Sequence, residues 1–258
     1  MTDILDEIIA HKRLEIEQQK AAISQELLIN NCNEPMPRRS MRASLSASPS
    51  GIIAEFKRRS PSKGWIKENA QADIIPPAYE MAGASVLSIL TDENFFGGNL
   101  NIRAARPQVS LPILRKDFII DEYQLYQACI VGADAVLLIA AALRKEQCSM
   151  LAAKAHELKL EVLLEIHSEQ ELEYIEDNID MVGVNNRNLG TFHTDVENSF
   201  RLAEKLPKEM LLVSESGISS PQTVRQLRAA GFRGFLIGEN FMKTPQPGNA
   251  LKEFISKL

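Results

Sequence analysis

A chain of 258 residues with 45% hydrophobic and 24% charged residues has ample apolar surface for a continuous core, which excludes a largely disordered protein. A formal net charge of -5 argues against a nucleic-acid surface, which relies on clustered Lys and Arg, so the expected partner is a small molecule. Cys32, Cys129 and Cys148 are odd in number, far apart and outside any CxxC pattern, so neither a disulfide framework nor a zinc site is expected, and a reducing cytoplasmic setting fits.

The first twenty residues, MTDILDEIIAHKRLEIEQQK, lack the apolar block of a signal peptide. The longest apolar runs, such as 135–143, fall far short of the roughly 20 residues that a membrane-spanning helix needs, so no membrane role is expected. Over residues 3–20, Ile4, Ile8, Leu14 and Ile16 recur among charged neighbours and predict one amphipathic helix. The segment that follows, to about residue 50, is rich in Asn, Ser, Pro and Arg and reads as a connector with a short second helix near 41–45.

From residue 51 onward a short apolar β-prone run, a polar or glycine-containing loop and a helix-like stretch recur. Eight runs have the length of a strand buried on both faces: 51–56, 85–90, 112–116, 135–139, 161–166, 181–184, 210–214 and 234–237. Small residues end the helices before the second, fourth and eighth runs, at 81–85, 129–135 and 229–231. Eight βα units can form an open sheet or close, and eight is the number at which a barrel is filled by its own side chains. An open sheet would want a GxGxxG turn after an early strand, and the first loop, KRRSPSKG, has none. The expected fold is therefore an α/β protein, a (β/α)8 TIM barrel spanning 1–258, of which about 1–50 is a helical N-terminal extension.

Barrel enzymes place their sites at the carboxyl ends of the strands, and polar residues gather there in this sequence. The first run ends in Glu55 and Lys57, the third in Arg115, Lys116 and Asp117, the fifth in Glu165 and His167, the sixth in Asn185 and Arg187, and the seventh in Glu215, Ser216 and Gly217. Any one such end could simply be where a strand meets solvent. Charges that project inward together need partners, and their compensation shifts proton affinities as acid–base chemistry requires. Gly217 after the seventh run and Gly238 with Glu239 after the eighth let main-chain N–H groups approach an anion, the place where many such barrels grip a phosphate.

The stretches IIAEFKRRSPSKG, SILTDENFFGG, PILRKDFIIDEYQ, GADAVLLI, LLEIHSEQEL, VGVNNRNL, SESGI and FLIGENFM resemble, in order and spacing, the conserved blocks of indole-3-glycerol phosphate synthases over about residues 51–242. That family closes and decarboxylates 1-(2-carboxyphenylamino)-1-deoxyribulose 5-phosphate to indole-3-glycerol phosphate, carbon dioxide and water in tryptophan biosynthesis, without metal or organic cofactor. The resemblance implies Lys116 as the acid that polarises the carbonyl in ring closure, Glu165 in acid–base work, and Lys57 as a contact to the substrate carboxylate and a source of a proton in dehydration. How these three divide the steps stays open. It further implies Glu55 and Glu215 as holders of the lysines and substrate hydroxyls, Asn185 as a neutral hydrogen-bonding group, and Arg187 as an electrostatic helper.

By the same resemblance Ser60 and Ser62 lie in a mobile first loop, Ser216, Gly217, Gly238 and Glu239 in the phosphate loops, and Phe96 (or Phe95) and Phe118 beside the anthranilate ring. Asn99 and Glu239 depart from the commoner serine. A Glu239 carboxylate facing the phosphate would repel it, so only its N–H is expected to contribute. His167 reads as a hydrogen-bonded structural group, and His11, His156 and His193 have no HExxH-like spacing, so no metal is expected.

Two alternatives accompany this reading. Phosphoribosylanthranilate isomerase shares fold and phosphate loops but works with a Cys and Asp pair at strand ends, where none of the cysteines falls. A catalytically silent barrel would bind a phosphorylated ligand without turnover, against which the intact set of charged residues speaks. The expected protein is a monofunctional, monomeric carboxy-lyase.

Overall fold

The computed structural model describes residues 4–32, 37–60, 64–93, 97–188 and 190–258. Its centre is a closed barrel of eight parallel strands: β1 (Ile52–Phe56), β4 (Val86–Leu90), β5 (Ile113–Lys116), β6 (Ala135–Ile139), β7 (Glu161–Ile166), β8 (Met181–Asn185), β9 (Leu211–Glu215) and β10 (Gly234–Ile237). Each pairs with the next, and β10 closes on β1 through Ile52 opposite Phe235 and Ala54 opposite Ile237. Between β1 and β4, the strands β2 (Arg59–Ser60) and β3 (Gly64–Trp65) form a small antiparallel ribbon that the apolar pattern does not announce.

The helices of the extension are α1 (Ile4–Ala22), α2 (Gln25–Cys32) and α3 (Met41–Ala47). Those of the barrel are α4 (Ile75–Met81), α5 (Asn99–Ala105), α6 (Glu122–Val131), α7 (Lys145–Glu157), α8 (Glu197–Ala203), α9 (Pro221–Ala229), α10 (Glu239–Met242) and α11 (Pro247–Ile255). After β7 the crossover is a 3-10 segment, Glu169–Tyr174, where the sequence pattern predicts an α-helix. No helix among the described residues is long and apolar enough to cross a membrane.

Strand alternation sorts the side chains into two apolar layers. Ile52, Ala54, Phe56, Leu87, Ile89, Val136, Leu138 and Leu164 face the helices. Ile53, Val86, Leu114, Leu137, Leu163, Met181, Val213 and Leu236 fill the barrel, joined from below by Met41 and Leu45 of α3, which are wholly buried and plug its amino-terminal end. Two residues further along several of the inward stripes stand Glu55, Lys116, Glu165 and Glu215, so the core packing itself carries charge to the carboxyl-terminal mouth.

The stretch between α1 and α3 is not the plain connector expected, since it contains α2. That helix buries Leu28 against Ile16, Tyr123 and Tyr126, and an eight-residue helix with three polar amides needs such tertiary support to form. Cys32 at its end is joined to Cys129 of α6 by a disulfide, which corrects the expectation that the cysteines are unpaired. Chain spacing conceals this pair because the two residues are 97 positions apart and meet only once α2 packs on α6. Cys148 is a buried free thiol. Further contacts tie the extension to the underside of the barrel: buried Asp134 accepts from Arg39 N and Ile113 N, each at 2.9 Å, and from Arg106 Nη1 at 2.8 Å.

Candidate active site

At the carboxyl-terminal mouth lies a cavity of about 600 Å³. Its walls include Glu55, Lys57, Ser60, Lys116, Phe118, Glu165, Asn185, Arg187, Glu215, Ser216, Gly217, Gly238 and Glu239, so the structure brings together the sequence-predicted residues that it describes. Ser62 and Phe96 lie outside the described residues. Arg59, Phe192, Thr194, Ile218 and Lys243 also line the cavity and were not singled out from the sequence, because they lie beyond the ends of the barrel strands, where the apolar runs give no guide.

Lys116 is the hub. Its Nζ lies 3.1 Å from Glu165 Oε2 and 3.3 Å from Glu215 Oε2. Burial alone would lower its proton affinity, but Glu165, Glu215 and Glu55 outweigh that and hold it well above the ordinary lysine range. Asn185 Nδ2 donates to Glu165 Oε1 at 3.0 Å, and Asn185 Oδ1 accepts from Arg187 N at 3.0 Å, which fixes the amide's orientation. Lys57 pairs with Glu55.

Two glycines make room for these carboxylates. A Cβ on Gly183 would lie 2.3 Å from Glu215 Oε1, and a Cβ on Gly238 would lie 2.1 Å from Glu55 Oε2. Each glutamate thus rests over a bare backbone on a neighbouring strand or its end. The VGVNN pattern therefore carries a signal that the sequence reading passed over, a glycine in an otherwise continuous strand marking a close approach.

Glu165 and Glu215 share one lysine, and their proton affinities separate. Burial works to raise both. For Glu165, the fields of Lys116 and His167 prevail and the carboxyl falls below its ordinary value. For Glu215, burial and the charge of Glu165 prevail over Lys116 and push it up to about 8. The pair plus lysine therefore carries one proton more than two ordinary carboxylates would at neutral pH.

The consequence for stability has a definite sign. Folded Glu215 keeps a proton that the unfolded chain gives up above about 4.5, so its contribution is full below that pH and is lost as pH rises towards about 8. Glu215→Gln imitates the protonated form. Its Tm relative to the native chain is expected to rise across that window and to level off above it, which thermal melts from pH 5 to pH 9 would show; a flat difference would place the proton elsewhere.

His167, set aside in the sequence reading as a structural group, lies with Nε2 3.3 Å from Glu165 Oε1 and Nδ1 3.8 Å from Glu171 Oε2. Burial would lower its proton affinity, and Glu171 and Glu165 raise it on balance. It does not line the cavity and acts on Glu165 from behind. Of the other histidines, His156 pairs with Asp180 at 2.8 Å on the far side, and no cluster suited to a metal occurs among the described residues.

After β9 the chain turns sharply, with Ser216 at φ +67° and Gly217 at φ +75°. A left-handed serine is uncommon, and here Asn186 holds it, donating from Nδ2 to Ser216 O and to Ser214 Oγ at 3.0 Å each. A Cβ on Gly217 would sit 2.7 Å from Thr194 Cγ2, so the turn has no room for a side chain. Asn186 is a second residue that the sequence reading missed. The Ser60 hydroxyl is buried beside the cavity with no partner among the described residues.

A family model for indole-3-glycerol phosphate synthase matches residues 5–254. The chain is 68% identical over 259 residues to an indole-3-glycerol phosphate synthase of Bacteroides thetaiotaomicron, with the whole of both chains covered. It is 43% identical to that of Polynucleobacter asymbioticus over 99% of this chain and all of the relative, and 44% identical to that of Acidithiobacillus ferrooxidans over 98% of each. Among solved structures, 3-hexulose-6-phosphate synthase from Salmonella typhimurium superposes with a TM-score of 0.63 at 14% identity, covering 81% of this chain and 98% of that one. At that identity the likeness shows the barrel fold alone.

Proposed function

Because the chain belongs to the indole-3-glycerol phosphate synthase family, carboxy-lyases of tryptophan biosynthesis, we propose that Lys116 is the acid of the ring closure. The observation that carries this is a cation held between Glu165 and Glu215 on the wall of the mouth cavity. As the aromatic carbon attacks the ribulose carbonyl, negative charge grows on that oxygen. A preorganised cationic N–H in a site shielded from water stabilises it and delivers the proton.

Loss of the carboxylate as carbon dioxide then leaves a hydroxyl to depart as water and a ring C–H proton to be removed. Lys57, braced by Glu55, meets the substrate carboxylate and supplies the proton that leaves with the hydroxyl. Glu165, ionised and oriented by Asn185, takes the C–H proton. Arg187 adds positive field near the anionic substrate. The phosphate lies against the N–H groups of Gly217, Gly238 and Glu239 with Ser216, and Phe118 bounds the aromatic ring. Ser60, which lines the cavity, contacts the substrate.

We take the enzyme to be monomeric, cytoplasmic and monofunctional. None of the cysteines lies at a strand's carboxyl end, as an isomerase of the Cys and Asp kind would need. The test is to incubate the purified chain with chelator and 1-(2-carboxyphenylamino)-1-deoxyribulose 5-phosphate and follow indole fluorescence and carbon dioxide together. Both products are expected. Binding without either would point to a silent barrel, and isomerisation of phosphoribosylanthranilate would overturn the monofunctional reading.

A further inference from the structure

The side chain of Lys12 reaches from the amino-terminal helix α1 to the ends of β4 and β5, where it is wholly buried. Its Nζ lies 2.7 Å from Glu15 Oε2, 2.9 Å from Asp92 Oδ2 and 3.0 Å from Asp117 Oδ1. A buried ammonium without partners would cost several kcal/mol or lose its proton, so the carboxylates are what allow it to be there. Burial alone would raise the Asp117 carboxyl, but Lys12 and Arg115 draw it down to about 2.

Asp117 lines the mouth cavity, and Asp92 is buried just beyond the end of β4. Asp117 follows Lys116 directly, and its other oxygen, Oδ2, accepts from Arg115 Nη2 at 2.9 Å and Thr91 Oγ1 at 2.7 Å. Phe118 N donates to Asp117 Oδ1 at 2.9 Å. Asp92 follows Thr91, whose N donates to Lys116 O at 2.9 Å, and Asp92 O accepts from Gly97 N at 2.9 Å. The end of β5, which carries Lys116, and the end of the neighbouring β4 are therefore clasped by one ammonium that reaches in from α1. A methionine in place of Lys12 would fill similar space but would take its ammonium from the buried carboxylates of Glu15, Asp92 and Asp117, which would move apart or take up a proton.

We propose that Lys12 is a positioning residue for the reaction: from α1 it holds Asp92 and Asp117, and through them the backbone of Lys116, so that the acid keeps its place between Glu165 and Glu215. The inference rests on Lys116 being that acid. It gives the N-terminal extension a part in turnover beyond closing the barrel, since a shift of about 1 Å in a reacting group can cost on the order of a hundredfold in rate.

The experiment compares Lys12→Met with Tyr123→Phe, which loosens the same helix elsewhere by deleting the phenol whose single O–H is shared between Gln19 O at 3.0 Å and Ile23 O at 2.9 Å. Both variants are expected to lower Tm. Measured well below either melting point, only Lys12→Met should lower kcat, by roughly ten- to a hundredfold with KM nearly unchanged, and Lys12→Arg should recover most of it. Asp92→Asn, which leaves Lys12 two carboxylates, should show the same split more weakly and serves if Lys12→Met does not fold.

A kcat within about threefold of native in Lys12→Met, or in Asp92→Asn where that variant stands in for it, would overturn the proposal. So would losses that follow Tm alike in both helix variants. In a Lys116→Met background, Lys12→Met should add nothing to the residual rate; a further tenfold loss would mean that Lys12 does not act through Lys116. Native-like turnover of Lys116→Met itself would instead sink the site reading on which the proposal stands.

Discussion

Lys116→Met is expected to lower turnover by about a thousandfold or more while the chain still folds and binds the substrate phosphate. The side chain lies between Glu165 and Glu215, so its removal takes away the proposed proton donor together with the positive field it sets in the cavity. It also leaves the ionised Glu165 buried beside Glu215 without the ammonium between them. They can relieve this by taking up a proton, which raises their combined proton affinity, so the variant should be close to native in stability at low pH and lose stability as pH rises. Steady-state kinetics with the family's substrate, alongside melts at several pH values, separate the two effects. Near-normal turnover would remove Lys116 from the chemistry, and a pH-independent melt would mean that the two glutamates are not coupled through it.

The barrel was legible because its strands are buried on both faces and so read as continuous apolar runs. The runs at 135–139, 161–166 and 234–237 coincide with β6, β7 and β10, four others differ from the observed strands by one residue at one end, and 210–214 is shifted by one residue from β9. The charged mouth was legible for the same reason, since period-2 alternation places Glu55, Lys116, Glu165 and Glu215 on the inward stripes whatever the loops do. What stayed hidden depends on contacts between segments distant in the chain. Helix α2 owes its existence to Leu28 docking on α6, and Cys32 finds Cys129 only there. Lys12 looks like any charge on the polar face of an amphipathic helix until α1 is laid against the ends of β4 and β5. Gly183 and Asn186 were visible as residues, but their meaning lies in Glu215 Oε1 and Ser216 O, which belong to another strand and its loop.

Glu165→Gln tests the residue proposed as the base and should cost about a hundred- to ten-thousandfold in turnover. The amide keeps the volume and can still accept from Asn185 Nδ2, so the fold has little reason to change. Charge balance is also preserved from an unexpected quarter. Glu215 is protonated partly because Glu165 is ionised beside it; once that charge is gone, Glu215 should ionise and take over the lysine. The stability advantage of Glu215→Gln at high pH, expected in the native background, should therefore shrink when Glu165 is glutamine.

The kinetic signature follows from where in the sequence of steps the base is needed. If Glu165 removes the ring proton after decarboxylation, a single turnover of the variant should release carbon dioxide well ahead of indole fluorescence, because the decarboxylated ring waits for a base before it becomes aromatic. Loss of both signals by the same factor would move Glu165 to ring closure or earlier, and with it the assignment of the dehydration proton to Lys57. Lys57→Met then decides between them, because it should delay indole while sparing carbon dioxide release only if its proton leaves with the hydroxyl.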